Sequence, residues 1–263
     1  MPLAVCATPI GNLEDVTLRV LTELREADVV LAEDTRHTRG LLQRHAIEAR
    51  LLSYHDHNEA ARVAEVLPRL RAGERIALVS DAGVPGISDP GARLIARALE
   101  AGVAVTVLPG PSAVETALVA SGLAAERYAF VGFLPRRVAE LEALWVELAC
   151  WRWPIVAFES PQRLAATLRT LAPERVVAVC RELTKKFEEV VVGRVGELTE
   201  RFAQAPKGEV TLVIAPEPAP SRSDEAGAAV AELIAAGTPR RVAVDVVAAL
   251  TDVSRNDLYR GSL

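Results

Sequence analysis

Four loops rich in glycine, proline and polar residues follow apolar runs of this sequence. They span Thr8–Asn12, Glu33–His37, Ser80–Gly91 and Pro109–Ser112. Their small side chains would let a ligand approach the backbone closely, and open α/β sheets bind ligands at the carboxyl ends of their strands. None of the loops has the spacing of a dinucleotide-binding or phosphate-cradling loop. The pattern predicts a small-molecule site that is not built for a phosphate cofactor.

Asp81 follows the apolar run Ile76–Val79 and is separated from it only by Ser80. A carboxylate at the end of a strand can accept hydrogen bonds from ribose hydroxyls or from an ammonium group. The alternative is that Asp81 and Asp89 only organise a turn, as aspartate commonly does. Four loops of this kind in one chain favour the ligand.

Two polar segments have competing interpretations. Glu33–His37 is dense in polar groups, but Thr35 or Thr38 would also serve to start a helix that leads to Arg44. His55–Glu59 resembles a metal site, but adjacent residues of an extended segment point to opposite faces. We therefore expect Asn58 to cap a helix and expect no metal.

Lysine is rare and unevenly placed. Of the 30 basic residues, 27 are arginine, and Lys185 and Lys186 are adjacent within the charged segment Arg181–Glu189. A charged run is usually a solvated surface. However, an ammonium group, unlike a guanidinium group, can lose its proton when it is buried, so this segment is also a candidate for chemistry.

Composition limits the class of protein. The chain has 263 residues, half of them apolar, and a net charge of −5, so any binding to nucleic acid requires local basic patches. Cys6, Cys150 and Cys180 are odd in number and far apart, which does not indicate a disulfide framework. The segment Met1–Cys6 has no basic signal region, and no apolar run approaches the ~20 residues of a membrane span. We expect a cytoplasmic protein that does not enter membranes.

The first part of the chain alternates apolar runs with helical patterns. Strands are predicted at Leu3–Ala7, Val29–Ala32, Ile76–Val79 and Val103–Leu108, and helices at Thr17–Glu26 and Pro90–Ala101. Continuous apolar strands between helices are typical of a parallel sheet that is covered on both faces. The predicted fold class is α/β with two domains, of which the first has a mostly parallel sheet.

A second domain is predicted after Pro109–Ser112. It holds a helix and closely spaced strands that favour a mixed sheet: Ala113–Ser121, then Tyr128–Phe133, Ile155–Phe158, Val176–Cys180, Val190–Val192 and Val210–Ala215. Three prolines in Ala215–Asp224 predict a linker, and a helical tail follows, with helix starts at Thr238 and Ser254. We expect domains at residues 1–111 and 112–215, a linker at 216–227 and a helical tail at 228–263.

The polar loops together resemble those of one family. The similar segments occur in the same order: Ala7–Asn12, Ala32–Thr38, His55–Glu59, Val79–Gly91, Pro109–Ser112, Gly132–Pro135, Phe158–Ser160 and Arg181–Lys185. They resemble the tetrapyrrole methylase superfamily, in the branch that methylates small-subunit ribosomal RNA. The match runs from about Leu3 to Ile214, and the tail matches more loosely. Val84–Gly86 and Lys186–Phe187 depart slightly from the pattern without removing a polar group.

The resemblance implies two α/β domains that bind S-adenosylmethionine between them, in a homodimer. It also implies 2′-O-methylation of a cytidine in the decoding region of 16S rRNA, within the small ribosomal subunit. By position in the family's loops, the methyl donor would contact Pro9, Asp81, Val84, Ser112, Ala113, Phe158, Leu183 and Val210.

Methyl transfer to a ribose hydroxyl requires alignment and the removal of a weakly acidic proton. The polar loops offer Lys185, as a base when it is neutral or as a stabiliser of the developing alkoxide when it is charged. Competing bases are Glu188, Glu159, Asp34 and His37.

An RNA substrate also requires basic surface on this acidic chain. Arginine suits phosphate contact and stacking on unpaired bases. The candidates for RNA contact are Arg36 and Arg39, Arg136 and Arg137, Arg181, and in the tail Arg240 and Arg241, with Arg255 and Arg260 nearby. For the tail, the alternative is surface charge that only keeps it soluble.

Two other functions stay open. One is a methyltransferase of the same fold that acts on a tetrapyrrole ring carbon or a protein side chain. What argues against it is the two segments Glu33–Thr38 and Arg181–Lys185, together with the basic tail. A non-catalytic RNA-binding protein would have kept the fold alone, against which the intact polar loops argue.

Overall fold

The computed structural model describes residues 2–216 and 222–261. The chain divides into two compact units, Met1–Pro216 and Glu217–Leu263. Within the described residues, no helix has both the length and the apolar character required to cross a membrane.

The first unit begins with a five-stranded sheet in which every pair of neighbouring strands is parallel. In the order of the chain its strands are β1 (Leu3–Cys6), β2 (Val29–Ala32), β3 (Leu51–Ser53), β4 (Ile76–Val79) and β5 (Val105–Leu108). In space they lie in the order β3-β2-β4-β1-β5. Strands β1, β2 and β4 are fully buried because helices cover both faces of the sheet.

Four helices cover this sheet: α1 (Leu18–Glu26), α2 (Thr35–Arg44), α3 (Glu59–Arg71) and α4 (Ala92–Glu100). Alternate residues of each strand pack on opposite faces. Val30 of β2 packs in the core with α1 and α2, whereas Leu31 packs in the core with α3 and α4. The predicted parallel sheet is confirmed.

The second sheet also has five strands, but it is mixed. Its strands are β6 (Ala129–Phe133), β7 (Ile155–Glu159), β8 (Val176–Arg181), β9 (Glu189–Arg194) and β10 (Val210–Ile214), in the spatial order β6-β7-β10-β8-β9. Strands β6 and β7 are parallel, and the other neighbours are antiparallel. The predicted mixed sheet is confirmed.

Helices cover the second sheet as well: α5 (Ala113–Ala120), α6 (Val138–Leu148), α7 (Leu164–Leu168) and α8 (Val195–Arg201). Leu212 of β10 packs in the larger core with α6, α7 and α8. The next residue, Val213, packs on the opposite face with α5 and with Ile10 from the loop after β1. The second face of this sheet is therefore joined to the first sheet by apolar contacts.

In the part of the second unit that the structure describes there are three helices, α9 (Arg222–Ala235), α10 (Arg240–Thr251) and α11 (Arg255–Gly261), packed around Val230, Val244 and Leu258. Helix α9 begins inside the predicted linker 216–227, so the tail starts earlier than expected. The part of that linker at 217–221 lies outside the described residues. Ser254 caps α11 as predicted, by accepting a hydrogen bond from the Asp257 N–H at 3.2 Å. Helix α10 begins at Arg240, and its cap is Pro239 rather than Thr238.

Candidate active site

A cavity of about 450 Å³ is lined by loops from both sheets. The first sheet contributes residues that follow its parallel strands, namely Ile10 after β1, Glu33 after β2 and the segment 81–89 after β4. The second sheet contributes residues around Phe158, Leu183 and Val210. The cavity therefore lies at the carboxyl end of the parallel sheet, which is where such sheets bind ligands.

Backbone contacts fix the loops of the first sheet to one another. The N–H of Thr8 donates to the carbonyl of Gly83 at 2.8 Å, the Gly83 N–H donates back at 3.1 Å, and the Thr8 hydroxyl donates to the Ser80 carbonyl at 3.0 Å. Gly83 has a φ of +77°, which a residue with a side chain rarely adopts. A Cβ on Gly110 would lie 2.9 Å from the Cβ of Ala7. Glycine at both positions lets the loops approach this closely.

Most of the residues predicted to contact the donor line this cavity. They are Asp81, Val84, Ser112, Ala113, Phe158, Leu183 and Val210. Pro9 is buried and does not line the cavity, whereas its neighbour Ile10 does. Their roles as donor contacts stay a prediction.

Carboxylates form one wall of the cavity. Glu33, Asp81 and Asp89 all line it, and Asp81 accepts a hydrogen bond from the Asp34 N–H at 3.1 Å. Burial raises the pKa of Glu33, and the neighbouring charge of Asp81 adds to this. Burial, followed by the charge of Glu33, raises the pKa of Asp89 to about 7, despite a hydrogen bond from Ser80.

Lys185 lies behind the opposite wall, in a tight turn after β8. Its ammonium group is 3.0 Å from the Glu182 carboxylate and 3.0 Å from that of Glu209, which lines the cavity. Burial alone would lower the pKa of Lys185, but these two hydrogen bonds outweigh it and the pKa lies above its usual value. Lys185 therefore carries its charge here, which favours the alkoxide-stabilising role over that of a neutral base.

The turn that carries Lys185 is held in an unusual backbone conformation. Glu182 and Thr184 have φ angles of +52° and +64°, in the left-handed region that residues with side chains rarely adopt. The carboxylate of Glu188 accepts a hydrogen bond from the Thr184 N–H at 2.5 Å. This contact gives the predicted base Glu188 a part in holding the turn.

Glu159 lines the cavity, but its carboxylate oxygens already contact three groups of the protein. It accepts hydrogen bonds from the Ser160 N–H and the Thr167 hydroxyl, each at 2.5 Å, and pairs with Arg163 at 2.5 Å. Its side chain is buried. These three contacts leave the Glu159 carboxylate engaged within the protein rather than free to meet an acceptor, so the structure argues against Glu159 as the base.

Asp34 and His37 lie at the start of α2, and neither is among the residues that line the cavity. Asp34 caps the helix by accepting the Arg36 N–H at 2.8 Å, and it also pairs with the Arg36 guanidinium at 2.9 Å. The side-chain hydrogen bond from Arg36 is the main reason that the pKa of Asp34 falls to about 2. A carboxyl group with this pKa is a weak base, and His37 is exposed.

The predicted arginines fall into two groups. Arg36, Arg39, Arg136, Arg137 and Arg241 are exposed. Of these, Arg36 pairs with Asp34 and Arg137 with Glu140 at the surface. The other two are half-buried: Arg181 pairs with Glu189 at 3.2 Å and donates to the Lys207 carbonyl at 2.9 Å, and Arg240 donates to the Tyr259 carbonyl at 2.6 Å. The exposed group is better placed to meet a phosphate backbone.

In the segment His55–Glu59, the Asn58 side chain forms hydrogen bonds with nearby backbone groups. Asn58 stands at the cap position of α3, as predicted, but its side chain makes no capping bond to the helix. Its amide oxygen accepts from the His55 N–H at 2.9 Å, and its amide nitrogen donates to the Ser53 carbonyl at 3.2 Å. Asn58 therefore closes the loop between β3 and α3.

The residues of the cavity wall that were not predicted as site residues include Glu33, Ile87 and Asp89. Each lies in a loop that the sequence singled out. The signal was their position after buried strands, but a pattern of residue types does not say which side of a loop faces the cavity.

The fold is that of a known class of enzyme. The family model of the tetrapyrrole (corrin/porphyrin) methylases matches residues 2–199. A uroporphyrin-III C-methyltransferase from Thermus thermophilus, solved with S-adenosyl homocysteine, superposes with a TM-score of 0.57 at 21% identity, over 82% of this chain and 97% of that one. The chain belongs to the tetrapyrrole methylase family and is a methyltransferase.

Curated relatives narrow the family further. Ribosomal RNA small subunit methyltransferase I of Synechocystis is 44% identical, over 99% of this chain and 97% of that relative. The protein of the same name from Thermotoga maritima is also 44% identical, over 81% of this chain and 97% of that relative. The chain therefore falls within the ribosomal RNA small subunit methyltransferase I family, which confirms the resemblance.

Proposed function

We propose that this chain transfers a methyl group from S-adenosylmethionine to the ribose 2′-hydroxyl of a cytidine in the decoding region of 16S rRNA. The observation that carries the proposal is the cavity between the two sheets, whose lining combines carboxylates with apolar residues. The names of the relatives support an RNA of the small ribosomal subunit as the acceptor.

The residues of the cavity fit the donor. Ala82, Val84, Ala113, Leu183 and Val210 offer an apolar surface for a flat adenine ring. Asp81 offers a carboxylate for ribose hydroxyls or for the ammonium of the methionine arm. We propose that residues 1–111 and 112–215 act as two lobes that hold the donor between them.

S-adenosylmethionine, when bound, supplies a methyl group on a positively charged sulfur. The chain must align the ribose hydroxyl with this methyl group, which can contribute ~7–11 kcal/mol, and must accept the hydroxyl proton. We propose that Lys185, whose charged ammonium pairs with the wall residue Glu209 at 3.0 Å, exchanges that partner for the developing alkoxide when the acceptor binds.

Glu33 and Asp89 are the proton acceptors that the cavity favours. Both line it, and both have raised pKa values, to about 7 for Asp89, which suits a general base near neutral pH. The other candidates, Asp34, Glu159 and Glu188, are each occupied by a hydrogen bond or ion pair, and His37 is exposed outside the cavity wall.

We further propose a homodimer that acts on small ribosomal subunits in the cytoplasm. Val107 on β5, at the edge of the first sheet, is 53% exposed, and Val119 on α5 is 71% exposed. Exposed apolar residues at a sheet edge suit a second copy of the chain. Light scattering on the purified protein measures the mass in solution, and a monomer would contradict this part.

The acceptor is tested by offering the purified protein S-adenosylmethionine together with small ribosomal subunits or with a tetrapyrrole. We expect mass-spectrometric mapping to find a 2′-O-methylated cytidine in the decoding region only in the reactions that contain the protein. Methylation of the tetrapyrrole instead would replace the proposed acceptor. Failure to bind S-adenosylmethionine by calorimetry would favour a non-catalytic RNA-binding protein.

A further inference from the structure

Phe133 is a large apolar residue that stands exposed at the cavity. Phe133 is 63% exposed and lines the cavity together with Ile87, which is 55% exposed and lies on a loop of the first sheet. Leu134, the next residue, is buried in the core of the second sheet. The exposure of Phe133 is therefore not the end of a frayed strand.

A β-bulge turns the Phe133 side chain toward the cavity. Phe130 pairs with Val156 and Phe133 pairs with Phe158, so β6 holds one residue more than β7 between these pairs. In a regular strand residues 130 and 133 would face opposite sides. Here both rings lie against Phe158, at centroid distances of 5.0 and 5.3 Å. Bulges next to active sites commonly redirect a side chain in this way.

Gly132 makes this bulge possible and brings the two loops together. Its φ is +68°, and a Cβ on it would lie 3.5 Å from the hydroxyl of Ser88. Ser88 is the neighbour of Ile87, and Gly132 is the neighbour of Phe133. The two exposed apolar side chains thus flank the point at which the loop from the first sheet meets β6.

Hydrogen bonds fix the backbone of the two residues that follow Phe133. The Leu134 N–H donates to the Phe158 carbonyl at 3.0 Å. The Arg163 guanidinium donates to the carbonyls of Leu134 and Pro135, at 3.2 and 2.9 Å. Arg163 is in turn fixed by the buried Glu159. Glu159 therefore supports the loop that presents the ring, and a ring held in place before binding loses little conformational entropy on contact.

The surroundings indicate what this ring contacts. Three and four residues further on, Arg136 and Arg137 are exposed, and guanidinium groups suit a phosphate backbone. The buried wall residues Leu183 and Val210 offer the adenine of the donor a better covered surface than Phe133 does. A flat face with phosphate-binding groups beside it fits a nucleotide that has left its stack.

We propose that Phe133 is the stacking platform for the unpaired pyrimidine base of the RNA acceptor, with Ile87 on the other side of the entrance. Stacking would hold the base so that its ribose faces the donor. The inference rests on the proposed function, because it assumes that the acceptor is a ribonucleotide.

The test compares three variants in single-turnover transfer to small ribosomal subunits. Phe133→Ala removes the ring, Phe133→Leu keeps an apolar side chain without a flat face, and Phe133→Trp keeps the flat face. Base–aromatic stacking predicts a loss of about 10- to 100-fold in kcat/KM for the Ala and Leu variants, and rescue by Trp. The control is Leu99→Ala, which removes a large apolar side chain that is 58% exposed on α4 and is not among the cavity-lining residues.

Donor affinity is measured on the same variants by calorimetry with S-adenosylmethionine, and we expect it to stay within about twofold of the unmodified protein, well below the loss expected for a stacked base. Three results would overturn the inference: unchanged transfer by Phe133→Ala, equal activity of the Leu and Trp variants, or a loss of donor affinity that matches the loss of transfer. If the unmodified protein methylates a tetrapyrrole and not RNA, the proposed function fails and the platform fails with it. RNA methylation by the unmodified protein with an unaffected Phe133→Ala variant refutes the platform alone.

Discussion

The Lys185 ammonium lies between two carboxylates, at 3.0 Å from each, and its raised pKa keeps it charged. We expect Lys185→Ala to lower single-turnover transfer at saturating RNA by about 10²- to 10³-fold, as the loss of an oxyanion-stabilising donor does. Lys185→Arg should retain more activity than Lys185→Ala, since arginine keeps the charge but cannot act as a base. Lys186→Ala, at the exposed neighbour, is the control. Unchanged transfer by Lys185→Ala would end the proposed role.

The raised pKa of Asp89, a cavity-lining residue, makes the free energy of unfolding depend on pH. Its pKa is raised to about 7 by burial and by the nearby charges of Glu33, Asp81 and Asp56, so the folded protein prefers its neutral form. The stabilisation is therefore complete below the usual pKa of aspartate and is lost as pH rises through about 7. Denaturant unfolding between pH 4 and 8 should show that Asp89→Asn becomes steadily more stable relative to the unmodified protein.

The control for Asp89→Asn is the same change at the exposed Asp15. Asp15→Asn lacks the burial that raises the pKa of Asp89, so its stability difference from the unmodified protein should change less with pH. A difference between Asp89→Asn and the unmodified protein that stays constant from pH 4 to pH 8 would show that Asp89 ionises at its ordinary pKa.

Among the elements, the loop after β1 and the turn after β8 depend on each other through Gly11. A Cβ on Gly11 would lie 2.5 Å from Cγ of Lys185 and 2.9 Å from the carbonyl oxygen of Leu183. Gly11→Ala must therefore displace the turn that presents both residues, and overpacking of this kind costs about 1–3 kcal/mol. We expect lower thermal stability, weaker donor binding by calorimetry and slower transfer.

Gly40→Ala is the matched control for this prediction. Gly40 lies inside α2, and no described atom lies within 4 Å of the position that its Cβ would take. Because alanine is the better helix former, by about 1 kcal/mol, this change should leave stability equal or higher. If Gly11→Ala and Gly40→Ala have the same stability, donor affinity and transfer rate, the close approach of the two loops does not matter for function.

Helices, strands and loops that have a clear local pattern of apolar and polar residues are predictable from the sequence, whereas the contacts between them are not. The strands Val29–Ala32 and Ile76–Val79 have the predicted bounds, because a buried parallel strand is a continuous apolar run with polar residues at its ends. Strand β3 was not predicted, since it has three half-buried residues and no such contrast. The loops that form the cavity were predictable for the same local reasons as the strands that precede them.

The part of the site that escaped prediction depends on pairs that are far apart in the chain. Lys185 meets Glu209 across 24 residues, and Phe133 faces the cavity because of one extra residue in β6. Neither leaves a periodic pattern in the sequence, since a bulge changes the face of a residue without changing its type. The residue types of the site were therefore foreseeable, and their partners were not.

For the whole molecule, the question is what the second unit contributes. The Thermotoga maritima relative matches over 97% of its own length and only 81% of this chain, so part of this chain lies outside that match. The cavity residues all lie in the first unit. We infer that the second unit serves the acceptor rather than the donor.

Deletion of the residues after Pro220 tests this division of labour. We expect S-adenosylmethionine to bind with unchanged affinity by calorimetry, because the wall of the cavity is intact. Binding to small ribosomal subunits should weaken, and the slope of log affinity against log salt should become shallower by about 0.7–0.9 for each phosphate that the shortened protein no longer neutralises. Arg241→Ala in the intact chain, at an exposed arginine of α10, should reproduce part of that change in slope. Equal RNA affinity with and without the second unit would mean that its basic residues only keep the surface soluble.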